Sequence, residues 1–221
     1  MAYIGLRKPI IAQRTGAGKY STPFVLGKAI SLNVTPNYAE GSLNADDGQA
    51  EYDKEFNYAD VTLGTSTLPI EAHEKMFGHT VSTEGKEVTM NANDESSYVG
   101  TGWVTVEKID GVRFFTANVL VKVKYSEPSE EYSTKGDSIE YKTPSISGRA
   151  LKEDDGTWKK VKQFDTEKEA LDYIYKFPQS IMYGLNIWQC RFSNTLAIFI
   201  CFCTSILIVD RFKANQLIFK F

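Results

Sequence analysis

The sequence predicts a mainly β protein with one or two α-helices over residues 1–177. Three observations carry that expectation. Several stretches alternate apolar and polar residues with a period near two and are rich in β-branched side chains. One stretch, 98–125, reads as two long strands around Asp110-Gly111, a favoured hairpin-turn pair. Two stretches, 69–78 and 166–177, stand out as helices.

Taken in order, the opening "MAYIGLRKPIIAQRTGAGKY" has no continuous apolar core and no small-residue cleavage site. No secretory signal is expected, and synthesis in the cytoplasm is. "RTGAGKYS" (14–21) fails the phosphate-loop pattern twice, because Gln13 stands where Gly is needed and Tyr20 where Ser or Thr is needed. It reads as a flexible Gly-rich turn. "AISLNV" (29–34), "ADVTLG" (59–64) and "KEVTMN" (86–91) read as strands. Between the first two, 35–58 is polar, acidic and turn-rich, and is expected to be a long functional or disordered loop. In "PIEAHEKMFG" (69–78), Pro69 suits a first helical turn and Gly78 a C-terminal cap. Within 98–125 the alternation places Val119, Val121 and Val123 on one face and Leu120, Lys122 and Lys124 on the other. A second polar excursion follows at 126–136, then strands at 137–151 and 157–164 around the turn "KEDDG" (152–156). "TEKEALDYIYKF" (166–177) opens with the capping-box spacing of Thr166 and Glu169. Its Ala170, Leu171, Ile174 and Phe177 form an apolar stripe, the mark of a helix packed on a sheet.

Composition narrows the function classes. The 221 residues suffice for a sizeable core, and 25 basic residues stand against 28 acidic ones. The balance is split: 178–221 holds Arg191, Arg211, Lys213 and Lys220 against Asp210, net +3, which leaves 1–177 at −6. An acidic body argues against tight nucleic-acid binding, since phosphate contacts need clustered Lys and Arg. The three cysteines, Cys190, Cys201 and Cys203, all lie in the last quarter and form no disulfide framework or CxxC pair. His73 and His79, the only histidines, are six apart and do not match a zinc helix. Asp46, Asp47, Glu51, Asp53 and Glu55 crowd one segment but miss the EF-hand order. A solvated acidic face is favoured there, a partner-binding strip comes second and a metal site third. With no catalytic constellation and no cofactor motif, neither an enzyme nor a cofactor is expected.

Stretches spread along the chain in the same order resemble the major tail proteins of siphophages and prophages of Gram-positive bacteria. They are "MAYIGLRKPIIA", "GKAISLNVTPNYAEGSLNADDGQAEYDKEF", "ADVTLGTSTLPI", "MFGHTV", "DESSYVGTGWVTVEKIDG", "VKVKYSEPSEEYSTKGDSIEYKTPSISGRAL" and "WKKVKQFDTEKEALDYI". The resemblance covers about 1–177. It implies a tail-tube fold, a β-sandwich curling toward a barrel with a helix at its flank. It implies a structural virion protein that self-assembles into stacked rings, typically hexameric, forming the tube through which DNA is delivered. The implied partners are further copies of the chain, a tape measure protein, a tail terminator and baseplate or distal tail proteins. DNA would pass through the lumen without specific binding, and an acidic lumen would help it slide. The implied location is the virion tail, after assembly in the bacterial cytoplasm. The 35–58 loop is then a candidate inter-subunit contact, with Tyr38, Glu40, Asp46, Asp47, Glu51, Tyr52 and Asp53 as its proposed contact residues.

The resemblance stops at residue 177. The remaining 178–221 form a hydrophobic extension, read as lying outside the fold and as frameshifted or disordered. Its Phe, Ile, Leu, Cys and Asn richness fits A/T-rich DNA translated in an unselected frame. Leu196–Val209 spans about 21 Å as a helix, against the about 30 Å of a bilayer core. An alternative reading is therefore a β-domain surface or binding protein anchored through 196–209, but a tube subunit needs no anchor and no membrane association is expected.

Overall fold

A computed structural model describes residues 2–45, 47–82, 84, 86–130, 132, 134 and 143–177. The predicted extension 178–221, residues 137–142 of the predicted 137–151 strand, and Asp46 lie outside the described residues.

The described residues run through eleven strands. They are β1 (Ala2–Gly16), β2 (Lys19–Tyr20), β3 (Phe24–Val25), β4 (Ala29–Ala45), β5 (Gly48–Thr65), β6 (Thr80–Val81), β7 (Val88–Thr89), β8 (Tyr98–Ile109), β9 (Val112–Tyr125), β10 (Ser145–Leu151) and β11 (Lys159–Phe164). A helical segment, α1, joins β5 to β6: an α turn at Ile70–Ala72 runs into a π turn at His73–Phe77. A second helix, α2, covers 167–177. The protein is mainly β, as the alternation predicts.

Nine strands form one antiparallel sheet in the order β2-β1-β8-β9-β10-β5-β4, with β3 also on β1 and β11 also on β9. The predicted hairpin at 98–125 is present, closed by Asp110 and Gly111 at φ 48 and 87, the positive pair a type I′ turn needs. The alternation assigned to 119–124 is not kept. Thr101 pairs with Leu120 but Val99 pairs with Val123, so β9 carries one extra residue there. This bulge puts Leu120 and Val123, three apart, into the same core and turns Lys122 and Lys124 outward. The displaced ladder groups are satisfied elsewhere: the Val121 N–H donates to the Trp158 carbonyl at 3.1 Å, and the Tyr20 hydroxyl donates to the Val121 carbonyl at 2.7 Å. At this point β9 changes partner, from β11 along Phe115–Leu120 to β10 along Lys122–Tyr125. The sheet folds over on itself, and β1 approaches β4 without pairing with it.

The main core fills the space inside that curl. Val61, Leu63 and Ile146 come from β5 and β10, and Val99, Trp103, Leu120, Val123 and Tyr125 from β8 and β9. Ala72, Met76 and Phe77 enter from α1, whose end is fixed by Gly78 at φ 77; a Cβ on Gly78 would stand 2.4 Å from the Glu95 carbonyl oxygen. The opposite face of β8 is buried too. Ile174 of α2 lies against Gly102, where an added Cβ would meet its Cγ2 at 2.4 Å, and Phe177 packs on Tyr20 with ring centroids 5.8 Å apart. α2 is thus the helix packed on a sheet that its apolar stripe predicts, and the Thr166 hydroxyl accepts the Glu169 N–H at 3.3 Å. Burial on both faces explains why 99–104 is apolar or small at every position rather than alternating.

Four further expectations are adjusted. The Gly-rich 14–21 stretch is not all turn: it holds the end of β1, a tight turn at Ala17 and Gly18, the latter at φ 63, and β2. The strand expected at 86–91 shrinks to Val88–Thr89. An unexpected long strand opens the chain, interrupted by a bulge where Lys8 takes φ 47. The largest correction is at 35–58, which is not a loop but the continuous arms of the β4–β5 hairpin.

Candidate assembly surface

The two arms of that hairpin are buried only at their roots. Val61, Leu63 and Ala59 reach the core, whereas every described residue of 38–45 and 47–55 is exposed. The seven residues from Ala39 to Ala45 alone span about 24 Å of free ribbon. Ala45 pairs with Gly48, so two residues make the connection, and Asp47 takes φ 61. Asp tolerates that left-handed conformation better than most residues. β4 is an edge strand, and its Pro36, which has no N–H to offer a ladder, suits an edge. Among the described residues nothing pairs with the outer edge of β4.

Cross-strand contacts hold the ribbon in register. Tyr38 sits opposite Phe56 with ring centroids 6.0 Å apart, and Glu40 opposite Lys54 with an ion pair of 2.7 Å. The Lys54 ammonium also lies 4.5 Å from the Tyr38 ring centroid. The hydrogen bond from Lys54 lowers the Glu40 pKa, and the same contact raises that of Lys54. Exposed pairs of this sort set register more than they add stability, because solvent and salt screen them. The root is held more firmly. Phe56 stacks on Trp158 at 4.7 Å, and Lys152 pairs with Glu55 at 2.6 Å. Both Trp158 and Lys152 belong to the β10–β11 corner, whose Glu153 takes a two-pronged hydrogen bond from Arg14 at 2.8 and 2.7 Å. One short corner therefore ties the arm to β1.

Of the residues singled out from the sequence, Tyr38, Glu40 and Tyr52 share one face of the arm; Glu51 and Asp53 lie on the other with Leu43. Asp47 is at the tip, and Asp46 lies outside the described residues. The carboxylates are strung along a ribbon rather than gathered round a point. Among the described residues no group of three or more His, Cys, Asp and Glu side chains could hold a metal ion.

Sequence reasoning missed a second surface, the outward face of β8, β9, β10, β5 and β4. The pairing register sets Tyr98, Lys124, Arg149, Asp60 and Thr35 in one row across the five strands. The next row over holds two separate pairs, Lys122 with Leu151 in β9 and β10 and Tyr58 with Asn37 in β5 and β4. Lys122 and Lys124 lie 4.9 and 5.6 Å from the Tyr98 ring centroid, and Arg149 4.0 Å from that of Tyr58. The β9 bulge creates this face by turning both lysines outward; without it the sequence alternation misassigns their partners.

The two histidines come together beside α1. Their ring centroids are 5.7 Å apart, and the His79 Nδ1 is 2.8 Å from Asp94 Oδ2. Glu127 Oε1 lies 3.1 Å from His79 Nε2 without hydrogen-bond alignment. Burial, and then the neighbouring His79, lower the His73 pKa. The cluster joins α1 to the segments before β8 and after β9. Among the described residues no helix is long and apolar enough to cross a membrane, and the 196–209 run lies outside them. In comparisons with known proteins, no family model and no curated protein matches this chain.

Proposed function

We propose that this chain is a structural subunit of a phage tail tube, self-assembling into stacked rings around a channel for DNA. The observation that carries the reading is the β4–β5 arm. An isolated two-stranded ribbon is marginal in water, and an unpaired edge strand is a template for another chain. A ribbon solvated on both faces and attached to an unpaired edge is suited to contact a neighbouring subunit. Heterologous contacts of that type build rings when the rotation closes. The resemblance of 1–177 to siphophage major tail proteins supplies the particular assembly, its partner proteins and its place in the virion tail. In this reading the protein performs no chemistry and uses no cofactor, and DNA slides past an acidic body without specific contacts.

Deleting 38–55 tests the arm's part in assembly. The shortened chain is expected to keep the far-ultraviolet β signature and cooperative unfolding of the parent while failing to polymerise. Normal tubes from the deletion would refute the arm's role.

A further inference from the structure

The arm and the outward sheet face carry opposite charges that remain unmatched within one subunit. Residues 38–55 contain six carboxylates and one lysine, net −5. Glu40 is taken by Lys54 and Glu55 by Lys152, but Glu51 and Asp53 have no cation partner among the described residues. On the sheet face Asp60 is the only acid in the two rows, and it already meets Arg149 at 3.5 Å and the Asn37 amide at 2.7 Å. Lys122 and Lys124 have only the Tyr98 ring, with no carboxylate in ion-pair reach among the described residues. Spacing agrees as well as sign. Glu51 and Asp53 are two residues apart on one strand, as are Lys122 and Lys124, so each pair repeats at about 6.8 Å. The face of the arm that bears Glu51 and Asp53 pairs them with Leu43 and Gly41, small or apolar neighbours that permit close approach to a flat sheet.

We propose that the Glu51–Asp53 face of one copy's arm docks on the Lys122–Lys124–Arg149 face of a second copy. The inference rests on the tube-subunit reading and names the surface that receives the arm. Docking relieves two unmatched charge sets at once and gives the ribbon the second layer it lacks. Because both surfaces are exposed before they meet, the contact weakens as salt rises.

Charge reversal on the intact chain, read by sedimentation velocity, tests this. Lys122→Glu with Lys124→Glu, and separately Glu51→Lys with Asp53→Lys, are each expected to weaken self-association on the order of tenfold, and the four changes combined to restore it. Unchanged association in both reversed chains overturns the docking and leaves the tube reading standing. A parent chain that stays monomeric at every concentration overturns both. A measurement that needs no variant uses equal parts of isotopically light and heavy parent chain, joined by a zero-length carbodiimide cross-linker. Light–heavy peptides linking Glu51 or Asp53 to Lys122 or Lys124 are expected. Light–heavy links elsewhere but none between these residues overturns the docking. Protection of the two lysines by added duplex DNA, without those links, assigns the face to nucleic acid and overturns it too.

Discussion

His73 shows how a single side chain reports on packing. The π turn it begins brings Met76 and Phe77 into the core and leaves its own ring against His79 and Phe77. Burial lowers its pKa, so the unfolded chain takes up a proton more readily than the folded one. The contribution is fully present above the ordinary histidine pKa of about 6.5 and is lost as pH falls toward the folded value. His73→Gln is therefore expected to flatten the decline in melting temperature between about pH 6.5 and pH 5. Parallel pH series for parent and variant would contradict the burial argument. Single residues with a fixed backbone task were the most legible in the sequence. Gly78 ends α1 in the left-handed conformation, Asp110-Gly111 turns the hairpin, and Thr166 caps α2, each because only a few residue types meet the local requirement. Gly102 was not legible, since the residue that excludes its side chain, Ile174, is distant in sequence.

The β4–β5 arm, at the scale of an element, looks like a loop in the sequence for a physical reason. Period-two alternation arises when one face of a strand is buried, and 38–55 buries neither. With Pro36, Gly41 and Gly48 also present, the segment carried every turn signal and no strand signal. What holds it is cross-strand pairing and a root contact that only the fold creates. Trp158 is the main root contact, worth about 0.5–1.5 kcal/mol through its stack on Phe56 beyond the area it buries. Trp158→Ala is expected to speed amide hydrogen exchange across 38–55 severalfold while the slowest amides of β8 and β9 keep most of their protection. An arm whose exchange is unchanged would mean that the corner does not set its position. The bulge in β9 was equally hidden, because it depends on where β10 replaces β11 as partner, a long-range choice.

At the scale of the whole described region, residues 2–177, nine strands form one large sheet curled round the main core, with a helix on its outer side and a solvated ribbon leaving one edge. Fold class was legible because most strands bury at least one face, α1 because Pro69 and Gly78 mark its ends, and α2 because a capping box opens an apolar stripe. Closure of the sheet was not, since β1 and β4 are brought together by the bends and bulges between them rather than by any local pattern. In the proposed assembly the acidic balance of 1–177 gives duplex DNA little to hold, and the basic sheet face is the proposed seat of the acidic arm. Electron microscopy of the purified intact chain, negatively stained over a range of high concentrations, tests the tube reading most directly. Rings with an open centre, stacking into tubes of constant width as concentration rises, are expected. Particles that remain single subunits at every concentration, with arm and sheet face both accessible, would contradict it.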